Sequence, residues 1–395
     1  MQVPELSWTA RAESVHGVEE ALASIWRAAP PTVVGEDGES HVVARTSVLN
    51  LVAVTHSRDL AERADAAFAA LAGRHPSRTI LIEVRDPDGP RRIDADVFAR
   101  CDLPREGGAI VCTETIRVAV GGEAGRHLAS IVPQLVVHDL PVALWWPGEV
   151  PFDAADFHDV STAAGVADRL VVDGGAWPGD GLDGVRRLGR VLDTTHGAIS
   201  DFALMRQSRW REAIAAAFDE ATLAPFVRSI REVEVSYAAR SSLARDVGEA
   251  NVVRPLYHAA WLGSRLGWTV DRALARGPDG RWEALLRRRR GGAVDVVLRP
   301  ETSALALGST TRLAIVASMR GSELRVEVTA RAEEVVVRAS LDGREVLDRA
   351  YRAARRTDAD LLAEAIESGG RVEVETATLR LAADLVGVTA AEPRP

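Results

Sequence analysis

The most constraining stretch of this chain is Val142-Ala143-Leu144-Trp145-Trp146, entered through Asp139-Leu140-Pro141 and stopped by Pro147-Gly148. A strand apolar on both sides needs cover on both sides, so the stretch predicts an interior strand of a sheet with helices above and below. Adjacent strand residues face opposite ways, which sends Trp145 and Trp146 to different layers. Trp145 is expected in the core. Trp146, nearer the carboxyl end where parallel sheets open into functional crevices, is expected to be partly exposed and functional.

The flanking sequence alternates as an α/β domain requires. A helix is expected over Val18 to Ala28, a strand over His41 to Thr55, a helix from Ser57 ended by Gly73, and a strand over Thr79 to Arg85. Asp86 to Gly108 is polar and broken by glycine and proline, and predicts an excursion. Ile110 to Val120 alternates in character and predicts an antiparallel edge strand. A helical segment from about Asp153 to Ala164, a strand Arg169 to Asp173, and helices Gly181 to Leu192 and Met205 to Phe218 follow.

Near Phe226 to Glu232 the pattern changes to runs of short strands, which sets two expected domains, 1–228 and 229–395. The first is α/β, a layered mixed sheet with helices on both faces. The second is α+β with a mainly antiparallel sheet. It would comprise strands within Val233–Tyr237, Trp282–Arg290, Val294–Arg299, Arg312–Ser318, Leu324–Thr329 and Glu334–Ser340, and a last strand near Val372 to Leu379. Two helices are expected there. Asp358 to Ile366 is one, and Pro255 to Gly267, presenting Ala259, Gly263 and Gly267 as a narrow ridge, is the other.

Composition removes whole classes of chemistry. All 48 basic residues are arginine, so lysine Schiff bases, a P-loop lysine and a kinase strand lysine are excluded. A net charge of -9 argues against a general nucleic-acid binder. Without an apolar run of about 18 residues or a signal-like start, neither a membrane partner nor export is expected, and the expected compartment is the cytoplasm. Cys101 and Cys112, the two cysteines, have no metal spacing and are expected to stay reduced there.

No cluster predicts a catalytic, cofactor or metal site. Gly121-Gly122-Glu123-Ala124-Gly125 lacks the full dinucleotide fingerprint and reads as an ordinary glycine turn. Arg74-His75-Pro76-Ser77-Arg78 gathers guanidiniums, an imidazole and a hydroxyl that would grip an anion, although a solvated turn explains it as well. Asp153, Asp156, His158 and Asp159 read as a solvated helix start, and Asp139 as a turn residue beside His138. Arg287 to Arg290 reads as a solvated strand edge.

The segment Pro133 to Glu149, above all Asp139-Leu140-Pro141-Val142 and Leu144-Trp145-Trp146-Pro147-Gly148, resembles the signature of the glucose-6-phosphate dehydrogenase assembly protein family, OpcA. Similar segments follow the family's order: Arg45-Thr46, Leu49-Asn50-Leu51-Val52, Gly73 to Arg78, Glu114-Thr115-Ile116-Arg117, Phe152-Asp153, Asp168 to Asp173, Trp210-Arg211-Glu212 and Trp261 to Trp268. The resemblance implies a non-catalytic partner that binds glucose-6-phosphate dehydrogenase, supports its assembly and activates it allosterically, serving the pentose phosphate pathway and NADPH supply. It marks Arg74, His75, Ser77, Arg78, Asp139, Trp145, Trp146, Trp210, Trp261 and Trp268 as family-motif or interface residues. Redox control through cysteines, found in some photosynthetic members, is not expected, because no cysteine follows Cys112. The rival is a sugar-phosphate or nucleotide-binding enzyme using a crevice near Gly121 and Trp146.

Overall fold

A computed structural model describes residues 5–29, 32–34, 40–72, 74–86, 88–102, 110–149, 167–194, 197–241, 249–331, 333–368 and 372–387. The chain forms two compact units, the first from 1–172, 195–198 and 357–370, the second from 173–194, 199–356 and 371–395. Where the sequence suggests a single cut after 228, the chain therefore passes between the units repeatedly.

The first unit is α/β. Its strands are β1 (Glu5–Ala12), β2 (Thr32–Val34), β3 (Ser40–Arg45), β4 (Leu49–Thr55), β5 (Ser77–Val84), β6 (Arg92–Asp102), β7 (Ile110–Gly121), β8 (Val142–Trp146) and β9 (Arg169–Val172), together with the first residue of β10 (Ala198–Asp201), whose remaining residues are counted in the second unit. They run in the order β1-β6-β7-β5-β4-β8-β9-β10, with β2 and β3 attached beside β7. β4 and β8, the strands with the least polar sequences, are buried along their whole length at the sheet's centre, as strands covered on both faces must be. The pairs β7–β5, β5–β4, β4–β8 and β8–β9 are parallel. Helix Arg58–Leu71 packs on β4, β5 and helix Asp358–Glu367, while Val15–Ala28 packs on β1, β6 and helix Leu128–Leu135. Ser14 caps Val15–Ala28 by accepting from the Gly17 N–H, and Thr357 with Asp360 forms a capping box on Asp358–Glu367.

Taken in chain order, β4, β5, β7, β8, β9 and β10 stand as 3-2-1-4-5-6, the order of dinucleotide-binding sheets, with the switch point between β4 and β8.

Three expectations are corrected in this unit. The excursion Asp86 to Gly108 contains β6, whose Ala95, Val97, Ala99 and Cys101 face inward at every second position. β7 is consequently an interior strand between β6 and β5, and the antiparallel edge falls to β1. β6 also sets Cys101 opposite Cys112, and the two form a disulfide, not the free thiols expected. Gly73 and the helical segment from Asp153, with its acidic cluster, lie outside the described residues.

The second unit is α+β. Its sheet comprises β11 (Ile230–Ser241), β12 (Thr269–Arg276), β13 (Trp282–Arg287), β14 (Ala293–Ser303), β15 (Thr310–Met319), β16 (Ser322–Ala330), β17 (Glu334–Leu341) and β18 (Arg344–Arg352), ordered β12-β13-β14-β11-β15-β16-β17-β18. β11 and β14 pair in parallel, and the other neighbours are antiparallel. Asp342-Gly343, both with positive φ, form the tight turn that a right-twisted hairpin prefers.

The strand expected near Val372 to Leu379 is instead the start of the helix Glu373–Leu385. Its opening Val-Glu-Val-Glu alternates like a strand, but Leu379, Leu381, Ala382, Ala383 and Leu385 continue a buried face that only a helix can present. That face packs on helix Val253–Leu266, where a Cβ at Gly263 would lie 2.5 Å from Leu381 Cδ2. Gly263 of the expected ridge thus serves close packing within the unit, and Gly267, at φ 66°, ends the helix in the left-handed conformation.

Candidate functional site

Parallel register brings distant sequence motifs together at the amino ends of the first unit's central strands. Val142, Asn50, Arg78 and Glu114 stand side by side across β8, β4, β5 and β7. Arg78 and Glu114 are 3 % and 1 % exposed, so their charges must be matched within the protein. The Arg78 guanidinium donates to Glu114 Oε2 at 2.8 Å, to Glu19 Oε1 at 2.8 Å and to the Leu135 carbonyl at 2.9 Å. Glu114 Oε1 accepts from Trp26 Nε1 at 2.6 Å and pairs with Arg45, whose guanidinium lies 5.6 Å from the Trp26 ring centroid. Asn50 donates to the Val137 and Leu140 carbonyls and accepts from the Val137 N–H at 2.8 Å, fixing the turn in which Asp139 takes φ 70°. A cleft of about 650 Å³ opens over this network, lined by Glu19, Arg45, Gln134 and His138 among others.

The carboxyl end of the same sheet is closed. Trp145 and Trp146 are each 1 % exposed, so the expected half-exposed Trp146 is corrected to core. Trp145 meets Phe68 edge-on at 6.1 Å, while Trp146 lies 6.2 Å from the His56 ring and donates from Nε1 to the Glu149 carbonyl at 2.7 Å. The turn after β4, Thr55-His56-Ser57-Arg58, contains no glycine. A Cβ at Gly148 would fall 2.6 Å from Leu60 Cδ1, so the Pro147-Gly148 loop rests on the helix start, in the place where a dinucleotide-binding sheet leaves room for a pyrophosphate. Gly122 serves packing too, since a Cβ there would fall 2.3 Å from the Gly89 carbonyl oxygen.

The remaining marked residues do not join the cleft. Arg74 and His75 both reach Glu367, at 2.8 and 3.1 Å, at one end of the helix Asp358–Glu367, and Arg63 pairs with Asp358 at the other. Ser77 is buried and its hydroxyl has no hydrogen-bond partner among the described residues. In the second unit Trp210 and Trp268 are buried and Trp261 is half-buried. Trp210 stacks 5.1 Å from His258, which is fully buried with neither ring nitrogen hydrogen bonded. Burial, and then the Arg211 charge, push the His258 pKa down to about 3.

The second unit also holds Asp201, fully buried at the end of β10, which accepts from Gly174 N–H at 3.0 Å, Ala203 N–H at 2.7 Å and Tyr257 Oη–H at 2.7 Å. Burial pushes its pKa up to about 7 against the lowering effect of the Tyr257 hydrogen bond. Among the described residues no cluster of metal-ligating side chains forms, and no helix is long and apolar enough to cross a membrane.

The sequence motifs missed Trp26 and Glu19, although a tryptophan near the end of an amphipathic helix is a signal that its indole N–H needs a partner.

Two family profiles match the chain. Residues 68–187 match that of the glucose-6-phosphate dehydrogenase subunit N-terminal domain, and 197–374 that of the C-terminal domain of the same subunit. No curated protein matches. Among solved structures, a proposed oxidoreductase from Erwinia carotovora atroseptica aligns over 86% of this chain and 96% of its own, at 12% identity and a TM-score of 0.45. An oxidoreductase from Sinorhizobium meliloti aligns over 86% and 97%, at 13% identity and a TM-score of 0.44.

Proposed function

The chain belongs to the OpcA family of glucose-6-phosphate dehydrogenase assembly proteins, and from that premise we propose that it is a non-catalytic subunit that binds the dehydrogenase, supports its assembly and raises its activity. The observation that carries this reading is the closed switch point. A sheet in dinucleotide-binding order has a glycine-free first turn, Leu60 set against Gly148, and both tryptophans of β8 in the core. The same observation weighs against the rival enzyme at Gly121 and Trp146. We assign docking to the cleft edged by Gln134 and His138, because family segments far apart in sequence meet beneath it on a hydrogen-bonded frame.

The test is co-purification with the cognate dehydrogenase, followed by kinetics with and without this chain. A stable complex with raised dehydrogenase activity is expected, and Gln134→Arg or His138→Glu should weaken both without lowering the melting temperature. Oxidation of glucose 6-phosphate by this chain alone would defeat the proposal, as would unchanged kinetics in a confirmed complex.

A further inference from the structure

In the second unit, the helix Val253–Leu266 begins with an arginine where electrostatics favours an acid. The free N–H groups of a helix start attract anions and repel cations, yet this first turn holds no acidic residue and Arg254 is its second member. The Arg254 guanidinium is largely withdrawn from water and is repelled by Arg206 and Arg355. Its own hydrogen bonding is sparse. Nη1 donates to Ser309 Oγ at 3.3 Å, and Nε has no partner. Nearby carboxylates are directed elsewhere, Asp173 to Arg206 at 2.8 Å and Asp201 to two backbone N–H groups and Tyr257.

The surrounding backbone is shaped to this guanidinium. A Cβ at Gly175 would lie 2.9 Å from Arg254 Nε, so the Gly174–Ala176 turn passes against the guanidinium and a larger residue there would push it aside. Asn251 locks that turn to the helix start, donating to the Gly174 and Trp177 carbonyls at 2.9 and 3.0 Å and accepting from the Val253 N–H at 2.9 Å. Gln207 is 4 % exposed and donates to the Arg254 carbonyl at 2.6 Å, while its Oε1 has no partner. A cationic fork short of acceptors and a buried amide oxygen short of a donor thus occur together at the start of this helix.

We propose that Arg254 and Arg355, flanked by Arg206 and the Gly174–Ala176 turn, bind the phosphate group of a phosphomonoester, with the Gln207 amide oxygen accepting from a hydroxyl of the phosphate or of the group that carries it. Guanidinium forks match phosphate oxygens in pairs, and the helix start adds its partial positive charge. No bond is made or broken. The site acts on this chain alone and does not depend on whether a dehydrogenase docks.

The experiment is calorimetric titration of the full chain with inorganic phosphate, glucose 6-phosphate and NADP in turn, with thermal melts alongside. Saturable binding tighter than about 1 mM is expected for at least one probe. Preference for the sugar phosphate or for the nucleotide identifies the source of the phosphate. Arg355→Ala, an exposed position, should lower affinity about tenfold or more and leave the unliganded melting temperature unchanged. Arg254→Met should abolish binding while holding or raising that temperature, because it removes a poorly partnered charge. Absence of saturable binding by the native chain up to about 10 mM of every probe overturns the proposal. Unchanged affinity in either variant does so too, and Arg355→Ala decides alone if Arg254→Met fails to fold.

Discussion

Arg78 and Glu114 are register partners on neighbouring parallel strands and meet at 2.8 Å with both side chains almost wholly out of water. Glu114 also answers Arg45 and Trp26, so it is the single acceptor for three donors. Breaking a buried pair on one side costs about 3–5 kcal/mol, and here it leaves the remaining charge only a half-exposed partner, Glu19 for Arg78 or Arg45 for Glu114. Arg78→Met and Glu114→Gln are each expected to lower unfolding stability by about that amount, and the double variant by clearly less than their sum. Urea unfolding of the four proteins gives the coupling, and strict additivity would refute it.

Both tryptophans of β8 are core, and each contacts a different neighbour. Trp145→Ala and Trp146→Ala should therefore each cost about 3–5 kcal/mol, the cavity term falling beside Phe68 in one case and beside His56 in the other. A Trp146→Ala protein that melted like the native chain would show that the strand's carboxyl end is open.

Two buried groups set opposite pH slopes. His258 is held neutral down to about 3 while its unfolded value is 6.5, so below 6.5 the unfolded chain gains a proton that the folded chain refuses, and stability falls with pH. Asp201 keeps its proton up to about 7 against an unfolded value of 3.8, so stability falls as pH rises from 3.8 to 7 and levels off above. Each effect is on the order of 4 kcal/mol at full extent. His258→Leu should stabilise most at pH 5 and below, and Asp201→Asn should flatten the decline between pH 4 and 7. Urea midpoints measured across pH 4 to 9 check both slopes, and profiles parallel to the native one would contradict them.

The Cys101–Cys112 disulfide closes a loop with a sequence separation of 11 between paired strands. Loop-closure entropy gives it about 2–3 kcal/mol. Dithiothreitol and Cys101→Ser are expected to lower the melting temperature equally, and the reductant should have no further effect on the variant. Identical melts of the native chain in reducing and oxidising buffer would mean that the bond contributes nothing.

What was legible in the sequence was local. The unbroken apolar run of β8 announces a central strand, and Asp139-Leu140-Pro141 announces a turn. β6 was hidden because its inward positions are small, Ala95 and Ala99 among them, and because the proline and glycine before it suggested irregular chain. The period of two put Trp145 and Trp146 on opposite faces but carried no information about which face the rest of the chain covers. The Asn50–Arg78–Glu114 row is a product of parallel register between segments far apart in sequence, and no spacing encodes it. Arg254 was equally invisible, since its meaning depends on Gly175 and Gln207 coming to it.

The helix Asp358–Glu367 belongs to the first unit although it is encoded after nearly all of the second. During translation, Arg63, Arg74 and His75 emerge long before Asp358 and Glu367 exist to receive them. The nascent first unit must therefore wait, incomplete and with one side of helix Arg58–Leu71 bare, while the ribosome makes the whole second sheet. Protection by chaperones, and the aggregation risk of a slowed ribosome, should concentrate in that interval.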